Sequence, residues 1–165
     1  MRYRQLDKIT ELVPGSKLVA TRTLRADEDY LLDHFPRFPV MPGVMMLEAL
    51  HQAAIWMIRT GDRFESPLIV LHEAKSVKFG DFLTPGETLQ ITAELIKTDG
   101  SLITVKATAA KGDRTTVSAR LVMKKQSTGD DARLGTDAYI RERIKKQFTE
   151  LFGDQFSLDE ASTTA

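Results

Sequence analysis

The chain has no cysteine among its 165 residues. That absence removes disulfides, thiolate nucleophiles and thiolate-held zinc together. It also has no apolar run long enough to span a bilayer, so association with a membrane is not expected. An excess of charge of either sign is missing too: 23 basic residues are balanced by 23 acidic ones. Such a balance gives no global field of the kind that draws a protein to nucleic acid or to an anionic bilayer, so nucleic acid is not an expected partner and any basic patch must be local. The sequence shows no internal repeat. Its first ten residues are polar and lack the apolar stretch of a signal peptide, from which a cytoplasmic location is expected.

What is present suits one domain with a sizeable core and an appendage, since 42% of the residues are hydrophobic. From Ser16 to Leu24 apolar and polar residues alternate around Leu18, Ala20 and Leu24, the pattern of a half-buried strand. From Gly43 to about Arg59, Val44, Leu47, Leu50, Ala54, Ile55 and Ile58 recur at helical spacing, and the helix is expected to stop near Gly61. Few of its positions are polar on any face, so it is expected to be buried nearly all round. Strand-like runs follow at Leu68 to Leu71, Lys75 to Phe79, Thr88 to Lys97, Leu102 to Ala109 and Arg114 to Met123. Turn chemistry at Pro85-Gly86, Asp99-Gly100 and Gly112-Asp113 separates them. One strand, one buried helix and a run of antiparallel strands make an α+β order, with a sheet around a single helix. After a polar stretch, Thr136 can cap an amphipathic helix carrying Ile140, Ile144, Phe148 and Leu151 on one side, with Gly153 at its end.

The chemistry concentrates between His34 and Gln52. His34 precedes three prolines spaced three apart, Pro36, Pro39 and Pro42, and Gly43 then opens the apolar helix that carries Glu48. A neutral histidine is a candidate general base near pH 7, because an unperturbed imidazole titrates at about 6.5. Glu48 projects from the second helical turn, where desolvation favours the protonated form that can donate to a leaving group. Gly43 lies at the helix N-terminus, so its N–H is among the unpaired donors at the positive end of the dipole and can stabilise a carbonyl that gains negative charge. Gln52, one turn beyond Glu48, can hold the carboxyl in orientation. His51 makes a Glu-x-x-His pair with Glu48, but one such pair lacks the further carboxylates of a di-iron site, and no metal is expected. A base, an acid and an oxyanion donor are the parts needed to remove a proton beside a carbonyl and expel a β-hydroxyl as water.

The pattern His34-Phe35-Pro36-x-x-Pro39-x-Met41-Pro42-Gly43-Val44, with Glu48 and Gln52 following, resembles the signature of the β-hydroxyacyl-(acyl carrier protein) dehydratases of fatty-acid synthesis. Phe79-x-x-Phe82-x-x-Pro85-Gly86-Glu87-x-Leu89 is similar to a second landmark of that family. The resemblance covers about residues 5 to 125. It implies a hot-dog fold, an antiparallel sheet wrapped around one long central helix, in residues 1–126. Outside the resemblance, the residues themselves read as a linker at 127–135, an appended amphipathic helix at 136–152 and a disordered tail at 153–165.

The resemblance further implies a homodimer joined at sheet edges, in many members a trimer of dimers, with the site at the dimer interface. His34 would be the catalytic base, Glu48 of the other chain the acid and Gly43 N–H the thioester-carbonyl anchor, supported by Gln52. Phe35, Met41, Val44, Phe79 and Phe82 would line the acyl tunnel. No cofactor is implied, since the pantetheine arm arrives with the substrate on acyl carrier protein or coenzyme A. Glutamate at position 48 points toward the plain dehydratase branch. The chain departs from the family at Asp33 and Arg37, and at Gly80 and Asp81, where basic residues are usual; Arg37, Lys75 and Lys78 are alternative candidates for carrier docking. The alternative functions on the same fold are a thioesterase, a dehydratase of coenzyme A esters, or a non-catalytic acyl-binding subunit.

Overall fold

The computed structural model describes residues 3–129 and 135–159. Residues 130–134 of the expected linker and 160–165 of the expected tail lie outside the described residues. Six strands form one antiparallel sheet: β1 (Lys8–Val13), β2 (Lys17–Thr23), β3 (Leu68–Phe79), β4 (Thr88–Asp99), β5 (Leu102–Lys111) and β6 (Arg114–Gln126). Their spatial order is β1-β2-β4-β5-β6-β3. A helix, α1 (Gly43–Gly61), packs against the sheet and touches all six strands, and a second, α2 (Asp137–Phe152), follows the sheet. This is the expected α+β layout of a sheet around one helix. No helix among the described residues is long and apolar enough to cross a membrane.

The hairpins form where the sequence places them. Gly100 and Gly112 take φ 58°, the left-handed region that tight turns demand, and pair Asp99 with Leu102 and Lys111 with Arg114. Period-two alternation then turns Leu89, Ile91 and Ala93 of β4, Val105, Ala107 and Ala109 of β5, and Val117, Ala119 and Leu121 of β6 inward. The alanines keep that face shallow, so α1 can lie close upon it with Leu50, Ala53, Ala54 and Met57 fully buried. Each large aliphatic side chain buried this way contributes about 1.5–3 kcal/mol.

Three expectations change. A further strand, β1, precedes the expected first one; as an edge strand it buries only Ile9, so alternation is too weak to reveal it. The two runs at Leu68 and Lys75 are one twelve-residue strand, β3, interrupted by register shifts at Leu71/Glu73 and Lys75/Lys78. Finally, α1 is not buried all round: Val44 is 68% exposed and Glu48, His51 and Ile55 are only partly covered. These four positions fall on one stripe that neither the sheet nor α2 closes over.

Thr136 caps α2 by accepting from Tyr139 N–H. The helix buries Ile144, Phe148 and Phe152, so at its C-terminal end the buried stripe runs through Phe152, with Leu151 only partly covered. Phe148 and Phe152 each lie 5.7 Å from the Trp56 ring near the end of α1, and Phe148 lies 5.3 Å from Phe64. Beyond Gly153, Phe156 and Leu158 pack partly buried against the core, so ordered packing reaches into the stretch expected to be a disordered tail.

Candidate active site

The loop that carries His34 is fixed from both sides. A short 3-10 turn, Asp29–Leu32, buries Leu31, and His34 N–H donates to Tyr30 O at 3.0 Å. Downstream, Val40 and Met41 are 1% exposed, and Met41 N–H donates to Leu83 O at 2.9 Å. Between these anchors the chain reverses, with Phe35 at φ 54° and Phe38 N–H donating to Phe35 O at 2.8 Å. A left-handed phenylalanine is unfavourable and persists because its surroundings over-determine it.

This reversal folds the loop back on the histidine. His34 Nδ1 lies 2.9 Å from Val40 O. A carbonyl can only accept, so Nδ1 carries the proton and Nε2 holds the free lone pair. The Phe35 ring stands edge-on to the imidazole, with centroids 4.6 Å apart.

His34 lines a cavity of about 350 Å³ together with Gly43, Met41, Met46, Phe79 and Phe82. Phe35 and Asp81 also reach it. Pro42 O accepts from Met45 N–H at 2.9 Å and Met46 N–H at 3.4 Å, and ahead of these Gly43, the first residue of α1, stands at the cavity wall, where a helix-start N–H has no carbonyl a turn earlier to reach. Phe79 presses on Gly43 so closely that a Cβ at that position would lie 2.9 Å from the ring. His34, the start of α1 and an apolar wall therefore line one cavity within one protomer. Val44 does not line this cavity and points largely to solvent.

Glu48 does not line it either. Met46 and Glu48 are two residues apart and so project about 200° apart around the helix, which puts them on opposite flanks. Glu48 Oε1 accepts from Gln52 Nε2 at 2.8 Å, and Oε2 lies 3.0 Å from His51 Nδ1. The Gln52 amide is itself locked: its Nε2 also donates to Tyr3 O at 2.8 Å, and its Oε1 accepts from Gln5 N–H at 2.9 Å. One expectation is corrected here. Burial pushes the Glu48 carboxyl up, as the sequence suggests, but the hydrogen bonds from His51 and Gln52 outweigh it and hold the group below its usual 4.5 in the single protomer.

The N-terminal segment that locks Gln52 belongs to a buried polar network. Arg22, 2% exposed, donates through Nη2 to both Glu28 oxygens at 2.5 and 2.6 Å and through Nε to Gln5 Oε1 at 3.2 Å. Tyr30 O–H donates to Glu28 at 2.7 Å, which ties the network to the turn before His34.

Of the carrier-docking candidates, Arg37 and Lys78 are exposed, and Lys75 is paired with Glu73 at 3.1 Å. Asp81 accepts from Phe82 N–H at 2.8 Å and lies 3.5 Å from Lys111 and 3.8 Å from Arg114. The Phe82 N–H and these cations hold its carboxyl below the usual range. In the sequence Met46 belongs to a methionine cluster (Met41, Met45, Met46, Met57) that suits core filling or an acyl-tunnel wall, Asp81 stands out only as a departure from the family and His51 only as a poor metal pair with Glu48, while the Tyr3–Gln5 segment carries no signal of the site. Position i+3 from Glu48 is the available signal for a bond from His51.

The FabA-like domain family model matches residues 1–120. The 3-hydroxyacyl-[acyl-carrier-protein] dehydratase FabZ of Levilactobacillus brevis is 35% identical over 116 residues, covering 70% of this chain and 78% of that protein. The FabZ dehydratase of Clostridium kluyveri is 33% identical over 117 residues, covering 71% and 81%. Among solved structures, the dehydratase heterocomplex ApeI:P from Xenorhabdus doucetiae superposes with a TM-score of 0.63 at 18% identity, over 81% of this chain and 90% of that one. A hypothetical thioesterase protein with coenzyme A from Streptococcus pneumoniae gives 0.57 at 11% identity, over 72% and 84%. These two similarities speak for the fold alone. With the family model covering most of the sheet and all of α1, the chain belongs to the FabA-like family, among the relatives of the FabZ-type dehydratases.

Proposed function

We propose that this chain is a hydro-lyase that converts a 3-hydroxyacyl thioester, carried on an acyl carrier protein, to the trans-2-enoyl thioester in acyl-chain synthesis. The observation that carries this reading is the His34 Nδ1 to Val40 O bond, which leaves the basic Nε2 in the cavity it shares with Gly43 N–H.

The thioester carbonyl oxygen accepts from Gly43 N–H, which lowers the cost of negative charge on that oxygen. His34 Nε2 takes a proton from the carbon beside the carbonyl. Electrons shift to form the 2,3 double bond, the bond from carbon 3 to its hydroxyl oxygen breaks, and Glu48, which burial against a second subunit and the substrate would push up toward its protonated form, gives that oxygen a proton so that it leaves as water. His34 has gained one proton and Glu48 has lost one, so a single transfer resets the site.

Glu48 acts on this reading from a second copy of the chain. Among the described residues β3 pairs with β6 on one side only, and the apolar Phe79 and Phe82 at its end are 54% and 57% exposed. Pairing of two β3 edges would cover these residues and bring a partner's Glu48 to the cavity that the chain's own Glu48 does not reach. Exposed Arg37 and Lys78 are the cations available to an acidic carrier.

The test is turnover of a 3-hydroxyacyl-carrier-protein, read as enoyl-thioester absorbance. His34→Ala is expected to lower kcat by about a hundredfold or more while the folded chain persists. Turnover by that variant at the wild-type rate would overturn the reading. The same acyl group supplied on coenzyme A reports which carrier the site prefers.

A further inference from the structure

Glu48 is gripped at both oxygens by its own helix, but the two grips differ. Gln52 is braced by two backbone groups of the N-terminal segment and cannot turn. It reaches only Oε1. Held at one oxygen, a carboxyl can still rotate about its last bond, because the terminal torsion of glutamate is broad. The group that stops this rotation is His51, whose Nδ1 lies 3.0 Å from Oε2.

We infer that His51 is a positioning residue for Glu48, donating from Nδ1–H to Oε2 so that the carboxyl plane is fixed and the edge that bears its acid proton faces the approach of the substrate hydroxyl. The tautomer follows from His51's other nitrogen. Nε2 is buried and has no hydrogen-bond partner among the described residues. A proton there would be an unsatisfied buried donor, and an imidazolium would add charge to the same defect. The proton therefore sits on Nδ1 and points at Glu48.

The exposure pattern agrees with a site that works outward. His51 is 21% exposed and Glu48 37%, so the histidine backs the carboxyl and leaves one of its sides open. The inference rests on the proposed acid role of Glu48 and deepens it. As Glu48 passes its proton to the leaving hydroxyl oxygen, the carboxyl becomes a carboxylate, and donors aimed at its oxygens bind that ion more strongly than the neutral acid. An interaction that strengthens as the proton leaves acts on kcat rather than on KM. The charged and titratable groups at this point are few. The N-terminal segment brings Tyr3 and Arg4, and Arg4 donates through Nε to Leu6 O and through Nη2 to Asp7 O; the proposed partner brings His34.

Two variants of the full-length chain separate donation from packing. His51→Ala removes the donor; His51→Asn keeps an N–H where Nδ1 stands. On a 3-hydroxyacyl-carrier-protein, His51→Ala is expected to lower kcat about tenfold with KM within about twofold, and His51→Asn to recover most of the loss. A second readout needs no turnover. In a carboxyl-carbon NMR titration, Glu48 should titrate at higher pH in His51→Ala than in wild type, and His51→Asn should bring it back down. Full kcat in His51→Ala, an unmoved Glu48 titration, or an Asn variant no better than the Ala variant each overturns the assignment. Absence of turnover by the wild-type chain would instead count against the dehydratase reading, and the titration would still decide the role of His51.

Discussion

Two inactive variants, mixed as one dimer, are expected to regain activity. His34→Ala retains Glu48 and its braces, and Glu48→Gln retains the His34 cavity; each homodimer lacks one reacting group at both sites. The geometry sets the yield. His34 and Gly43 line one cavity, and Glu48 of the same chain does not line it. If the carboxyl comes from the other subunit, a mixed dimer has one intact site, formed by His34 of the Glu48→Gln chain and Glu48 of the His34→Ala chain. Its second site lacks both groups. Random pairing makes half of the dimers mixed, so a one-to-one mixture should show about one quarter of wild-type activity, and mixed dimers isolated through two different tags about one half. The assay is enoyl-thioester absorbance after co-expression of the two chains. Activity no greater than the sum of the parents, in mixed dimers shown to be intact by mass, would refute the shared site. Each chain would then need its own two groups, and mixing could restore nothing.

Gly43→Ala should lower kcat/KM by about tenfold while changing stability by under about 1 kcal/mol, since alanine suits a helix start. The new Cβ would stand 2.9 Å from the Phe79 ring and push it into the cavity; unchanged kinetics would mean that the ring yields elsewhere. Arg22→Met should destabilise the fold by about 3–5 kcal/mol in urea unfolding, because it strands the Glu28 carboxyl, 9% exposed, without its cation. In the wild type, burial pushes that carboxyl up, but bonds from Tyr30, Arg22 and the Arg25 N–H outweigh it and hold it below 4.5. Its folded value is depressed, so its contribution is complete above about pH 4.5 and is lost as the pH falls through the lowered value. The stability gap between wild type and Glu28→Gln should close over that acidic range, and a gap constant with pH would contradict the linkage.

The parts of this molecule that were legible in its sequence are those set by neighbours in the chain. Asp99-Gly100 and Gly112-Asp113 announce hairpins because a left-handed turn residue is a local demand. The cavity's His34 and Gly43 are nine residues apart on one anchored loop, so their meeting follows from a short path. β1 escapes notice because one buried residue makes no alternation, and β3 reads as two strands because its bulges break the period. The bracing of Gln52 joins residues 47 and 49 apart, and no pattern within a window of one helix reports it. The carboxyl of Glu48 departs from the sequence expectation for a related reason. Burial is readable from an apolar helix, whereas donors that reverse its effect must be seen in place.

The packing of α2 has a mechanical consequence. Near its C-terminal end α1 lies between the sheet and the rings of Phe148 and Phe152, which meet Trp56. Toward its N-terminal end, from Val44 to His51, one side has no such cover. The helix is thus a cantilever, clamped at the end remote from chemistry and unsupported on one side at the end that bears Gly43 and Glu48. Stiffness at the reacting end has to come from whatever closes over that side. On the proposed dimer, the surface that completes the set of reacting groups also braces the beam on which they are mounted, so assembly and positional precision would rise and fall together.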